Sequence, residues 1–187
     1  MSADKKPVLL VDTDATLSLD EWSDLITGKP PNWPAFFMHV AEAPVRRAEL
    51  LDLLTFAKDS GALLRFSSRW PDMVRPLFEA ALHRHGVQCG YTWWRRDSRL
   101  SAVQLAAVHA RAAGRSGPVV MIHNSAATAS DLRREFGVAS IGIDQIPTTT
   151  QAITALLSHA RPVPEFELSP KKPKPTKSPT KKQETAA

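Results

Sequence analysis

Two carboxylates stand two residues apart directly after an apolar run: Val8-Leu9-Leu10-Val11 leads into Asp12-Thr13-Asp14-Ala15-Thr16-Leu17. Where a strand runs into a turn, one such carboxylate can serve as a nucleophile or metal ligand and the other as a general acid/base. An Asp-x-Asp pair by itself is a common solvated turn. This one differs in its setting, between a buried strand and Thr16-Leu17. Hydroxyl and Arg side chains, Ser67-Ser68-Arg69, follow the next long apolar run. His123-Asn124-Ser125 and Asp144-Gln145 follow two later ones.

The elements that must position these residues can be read from periodicity and punctuation. Val8–Val11, Ala62–Phe66, Pro118–Ile122 and Ala139–Ile143 read as buried strands, and Val87–Trp93 as a short one. Helical spacing covers Val45–Ser60, Pro71–His85, Ser101–Ala113, Ala127–Phe136 and Thr149–His159. Gly61, Gly86, Gly114 and Gly137 stand where four of these should stop. Residues 18–44, with Gly28, four prolines and several aromatics, read as an irregular insert. Strands alternating with helices imply an α/β fold, a doubly wound parallel sheet. Such sheets place their sites beyond the carboxyl ends of the strands, where the polar groups above all fall.

Val8–Leu17 resembles the first motif of the haloacid dehalogenase (HAD) superfamily, an apolar strand running into Asp-x-Asp-x-Thr-Leu. Asn32–Phe37 followed by the Val45–Ser60 helix is similar to the phosphatase domains of polynucleotide kinase-phosphatases. Phe66-Ser67-Ser68-Arg69 resembles the second motif, and Val119–Asn124 with the helix behind it the fourth. The resemblance covers about Pro7 to Asp144. It implies that Asp12 is a nucleophile that also binds Mg²⁺, and that Asp14 is a general acid/base whose backbone carbonyl faces the metal. It further implies that Ser67 donates a hydrogen bond to phosphate, and Arg69, Arg95, Arg96 or Arg99 could stand in for the family's phosphate-binding lysine, though a planar guanidinium is not equivalent to an ammonium. A hard dication suits such oxygen ligands.

The sequence departs from that pattern in two places. The third motif is a lysine, and Gln104 stands in its position; no Lys occurs anywhere between Asp59 and Pro170. The fourth motif supplies acids to the metal, and here the strand ends in His123-Asn124, with no Asp or Glu from Ser98 to Ser130. Asn124 can offer only a neutral carbonyl oxygen, and His123 is a poor Mg²⁺ ligand. The expected metal set is therefore Asp12, Asp14 and Asn124, binding Mg²⁺ weakly. The expected phosphate set is Ser67, Arg69 and Gln104. Losing fixed charges aimed at a reacting phosphate can cost about 100–1000-fold per group. Two functions follow as expectations: a weak or altered Mg²⁺-dependent phosphomonoesterase related to nucleic-acid 3′-phosphatases, or a degenerate domain that binds a phosphorylated small molecule, a nucleic-acid end or a partner.

Composition bounds the rest. The whole net charge of +5 lies in a C-terminal stretch that holds six Lys and one Glu from residue 169 onward, so the body is neutral. Residues 1–164 read as the α/β domain. Residues 165–187, rich in Lys, Pro, Ser and Thr, read as a disordered tail able to bind nucleic acid weakly and without sequence preference. No apolar run reaches the roughly 20 residues of a membrane helix. The first apolar run is too short for a signal sequence, and a single Cys cannot form an internal disulfide, so the expected location is the cytoplasm, away from any membrane.

Overall fold

The computed structural model describes residues 5–88, 90–93 and 100–168. The basic stretch from residue 169 onward lies outside them, as do Cys89, Arg95, Arg96 and Arg99.

Five parallel strands form one sheet in the order β3-β2-β1-β4-β5. They are β1 (Val8–Asp12), β2 (Leu63–Ser67), β3 (Tyr91–Trp93), β4 (Val119–His123) and β5 (Ser140–Gly142). The chain lays β2 and β3 to one side of β1, then returns to place β4 and β5 on the other. Every residue of β1 and of β4 is buried. That explains why both read as continuous apolar runs and not as alternating ones. A single helical turn, α1 (Thr13–Thr16), follows β1 directly.

Both faces of β1 are covered, and the period of two sorts its side chains between them. Leu9 and Val11 face α4 (Ala48–Asp59), α5 (Arg75–Arg84) and α8 (Thr150–Ser158), meeting Leu50, Phe78 and Ile153 in one core. Val8 and Leu10 face α6 (Ala102–Gly114) and α7 (Ala126–Phe136), meeting Ala107, Ala110 and Leu132 in a second. The sheet is doubly wound, as expected. The register pairs Val8 with both Leu63 and Val119, and Asp12 with Ser67. Asp12, Ser67 and His123 therefore end their strands at one level and on one face, the face of α6 and α7.

Helix ends follow the sequence cues closely. Gly61, Gly86 and Gly137 have left-handed φ values of 80°, 76° and 64°, which a side chain would strain. Ser101 and Gln104 close a capping box on α6: Ser101 Oγ accepts from Gln104 N (3.2 Å) and Gln104 Oε1 from Ser101 N (2.9 Å).

Two segments differ from expectation. The helix expected from Val45 begins at Ala48, because Val45 forms an antiparallel bridge with Leu17 and keeps Arg46 and Arg47 off the helix. Residues 18–44, expected to be irregular, contain two short helices, α2 (Asp24–Thr27) and α3 (Trp33–Met38). Asn32 caps α3 through its side chain on Ala35 N, and Trp33, Phe36 and Phe37 pack against one another there. Beyond α8, Arg161 bridges to Val119, and Phe166 packs edge-on against Phe136 with the Arg111 guanidinium 5.4 Å from its ring centre. Among the described residues no helix is long and apolar enough to cross a membrane.

Candidate functional site

The strand order reverses between β1 and β4, the place where an open parallel sheet leaves a crevice at its carboxyl edge. The ends of those two strands are joined there. His123 Nε2 lies 2.8 Å from Asp12 Oδ2, with both side chains buried. The backbone N–H of Ser125 donates to His123 Nδ1 at 3.3 Å. A nitrogen that accepts an N–H carries no proton, so the ring proton is on Nε2 and is donated to Asp12. The other Asp12 oxygen, Oδ1, accepts from Asp14 N at 3.1 Å. Both oxygens of the carboxylate are thus held by protein donors, and Asp12 is only 3% exposed.

Ser67, paired with Asp12 across the sheet, is 4% exposed, and its Oγ is 2.8 Å from His109 Nδ1 on the buried face of α6. Burial lowers the pKa of His109 to about 4, although the negative charge of Asp12 pulls the other way. Beside them Thr13 Oγ1 donates to Ser68 Oγ (2.9 Å), which also accepts from Trp70 N (3.1 Å). Asp12 with His123, and Ser67 with His109, form a polar floor in which each Asp12 oxygen has one protein donor.

Asp14 stands above that floor. Its Oδ2 receives Arg69 through the terminal nitrogen (2.7 Å) and Nε (3.3 Å). Burial, then the nearby Asp12 charge, raise the Asp14 carboxyl above its usual range, and Arg69 only partly offsets them. The Asp14 backbone carbonyl accepts from Arg46 Nε at 3.1 Å. Arg46 is fixed in turn by Asp20, one nitrogen on each carboxylate oxygen (3.0 and 3.2 Å), and it holds the Asp20 carboxyl below its ordinary range. The Leu17–Val45 bridge and the Arg46 N to Thr16 O bond bring Arg46 here.

A cleft of about 710 Å³ opens at this polar end, lined by Asp14, Arg46, Arg69 and Asn124 together with the aromatic residues Trp33, Phe36, Phe37 and Trp70. Trp33 is stacked on Phe37 (centroids 5.7 Å apart, planes 25° apart) and is 47% exposed at the rim.

Of the residues singled out by sequence, Asp14, Arg69 and Asn124 line the cleft, while Asp12 and Ser67 lie buried beneath it. Gln104 serves the capping box of α6. Arg46 and His109 do not stand out in the sequence. The one clue to His109 is a histidine four residues past Leu105, on the apolar face of an alanine-rich helix.

The residues do not fit a tightly held divalent cation. Each Asp12 oxygen and the Asp14 carbonyl already faces a protein nitrogen donor, which a cation would have to displace or crowd, and Asn124 is neutral and exposed. No group of three or more His, Cys, Asp or Glu among the described residues is arranged to hold a metal.

No protein-family model matches the chain, and no curated protein matches it either. Solved structures do. A chain in a structure of the Pnkp1/Rnl/Hen1 complex aligns with a TM-score of 0.56 at 16% identity, over 76% of this chain and 47% of its own. A chain in a second structure, of the Pnkp1/Rnl/Hen1 RNA repair complex, aligns with a TM-score of 0.55 at 16% identity, over 76% and 45%. The likeness is one of fold. This chain spans about half the length of the chains it matches.

Proposed function

We propose that this domain is related in fold and site layout to the phosphatase part of polynucleotide kinase-phosphatases, and that it binds a phosphorylated end without hydrolysing it efficiently. The observation that carries this reading is the state of Asp12. Its two oxygens are each held by one protein donor in a buried floor, which fixes the carboxylate and lowers its readiness to attack. The missing lysine and the neutral Asn124 remove the fixed charges that would stabilise a transferring phosphoryl group.

The cleft keeps what a ligand needs. Arg69, half exposed and forked, suits a phosphate, and its Asp14 partner is already raised by burial. The aromatic wall from Trp33 to Trp70 suits a base or another flat apolar body. RNA repair is the setting of the structurally similar chains, and a nucleic-acid 3′ end is accordingly the first ligand to test. The alternative reading is a weak Mg²⁺-dependent phosphatase with Asp12 as nucleophile. It is favoured by the Asp12–Asp14 spacing and by the raised Asp14 carboxyl, which suits a general acid.

Binding is tested by tryptophan fluorescence, titrating the full chain with matched oligonucleotides ending in a 3′-phosphate or a 3′-hydroxyl. Quenching that favours the phosphorylated end and is lost in Arg69→Ala supports the reading. Equal response to both ends, unaffected by Arg69→Ala, counts against it.

A further inference from the structure

We propose that His123 and Arg46 occupy the two positions through which a divalent cation would join Asp12 to Asp14, so that this site is closed to Mg²⁺ and takes its ligand without it. The closure to metal stands on geometry alone; its extension to ligand binding rests on the function proposed above.

A bridging cation would have to contact one oxygen of the Asp12 carboxylate and the Asp14 carbonyl. In this chain Asp12 Oδ2 already faces His123 Nε2 at 2.8 Å, Asp12 Oδ1 faces the Asp14 backbone N at 3.1 Å, and the Asp14 carbonyl faces Arg46 Nε at 3.1 Å. His123 is buried, and Arg46, though part-exposed, is held at both the Asp14 carbonyl and Asp20. Turning His123 away would leave the Ser125 N–H without its acceptor in a part-buried setting, and it would strip one oxygen of a buried carboxylate. Moving Arg46 would break a two-point ion pair to Asp20 as well as the Asp14 bond.

Charge points the same way. A cation at this place would lie against the Arg46 guanidinium and near that of Arg69, with only Asp12 and Asp14 as acids, Asp14 already ion-paired to Arg69 and Asp12 hydrogen-bonded by His123. The remaining oxygen donor at the strand end, Asn124, carries no charge to offset the dehydration of a small hard ion. The sequence places His where the resembled family has an acid. The consequence of that exchange is that the side chain at this strand end donates a hydrogen bond to the Asp12 carboxylate. His123 and Arg46 are positioning residues here, holding Asp12 and Asp14 rather than touching a ligand.

The test is calorimetric titration of the full chain with MgCl₂ and MnCl₂, beside the double variant His123→Asp, Arg46→Gln. The native chain should give no saturable heat. The double variant should give a saturable Mg²⁺ isotherm, with affinity at least roughly 10-fold above the limit set by the native titration, the scale on which partners of metal ligands act. Saturable Mg²⁺ binding by the native chain that the double variant does not improve would overturn the proposal. Should the variant fail to fold, long-range ¹⁵N–¹H spectra of the native histidines decide. A His123 ring protonated on Nε2, with signals unmoved by Mg²⁺, supports the proposal, and Mg²⁺-dependent shifts of that ring contradict it. In a second arm, a 3′-phosphorylated oligonucleotide is titrated with Mg²⁺ or with EDTA. Equal affinity supports metal-independent binding, and binding only with Mg²⁺ overturns it while sustaining the functional reading. Binding in neither condition removes the functional reading, and the metal titration then decides the inference by itself.

Discussion

The floor of the site and the cleft above it are built from neighbouring strand ends, yet they are opposite in character. In the floor, Asp12, Ser67, His109 and His123 are buried and satisfy one another. In the cleft, Arg69 is half exposed, Trp33 stands at the rim and Asn124 is open to solvent. A buried polar network of this kind is costly to break and hard to recruit for chemistry. An open face with paired charges and an aromatic wall can exchange partners at small cost. Of the residues singled out by sequence, Asp12 and Ser67 belong to the buried floor, while Asp14, Arg69 and Asn124 line the open layer above it.

The sharpest way to break the comparison is to remove a member of the floor. His123→Ala leaves an oxygen of a buried carboxylate without a donor and opens a gap at the end of β4. The expected loss is about 3 kcal/mol or more in urea denaturation. A change near zero would show that the floor is not a linked network.

The floor should also make the fold acid-sensitive through His109. Above pH 6.5 its ring is neutral both folded and unfolded. As pH falls from 6.5 toward about 4, the unfolded chain takes up a proton that the folded chain resists, so stability is lost across that window. The loss from this one ring should be on the order of 3 kcal/mol at its fullest. Denaturation midpoints followed over that range, compared with His109→Gln, should show a flatter profile for the variant.

The cleft should behave otherwise. Arg69→Ala should change stability by less than about 1 kcal/mol, because the ion pair is half exposed. It should weaken binding of a phosphorylated end roughly tenfold, the scale of one charge-assisted contact. A large stability loss without a binding defect would place Arg69 in the floor after all. The smallest effect is expected from the basic tail. Truncation after Leu168 should leave the melting temperature unchanged and remove only nucleic-acid binding that falls steeply with added salt. Binding that persists at high salt then belongs to the cleft.

Much of this arrangement is legible in the sequence. Continuous apolar runs mark β1 and β4 as doubly covered, and glycines mark three helix stops that the φ values bear out. The polar residues after each strand do gather at one edge, because parallel strands all end there. That no Lys occurs between Asp59 and Pro170, and no Asp or Glu from Ser98 to Ser130, is equally plain in the sequence. What cannot be read is which polar atoms find each other. Arg46 sits inside an apparent helix, and only the bridge between Leu17 and Val45 holds it off. His109 sits in a helix whose facing strand the sequence does not name, and only the register of Asp12 with Ser67 brings the hydroxyl beneath it. His123 reads by sequence as a poor metal ligand. The Ser125 N–H fixes it instead as a hydrogen-bond donor to Asp12.

The most direct test of the account is release of inorganic phosphate from a 3′-phosphorylated oligonucleotide by the full chain, measured with Mg²⁺ and Mn²⁺ beside Asp12→Asn under conditions where the ligand is bound. The account predicts bound ligand with no phosphate release above that of Asp12→Asn. Metal-dependent turnover that Asp12→Asn abolishes would contradict it and restore Asp12 as a working nucleophile.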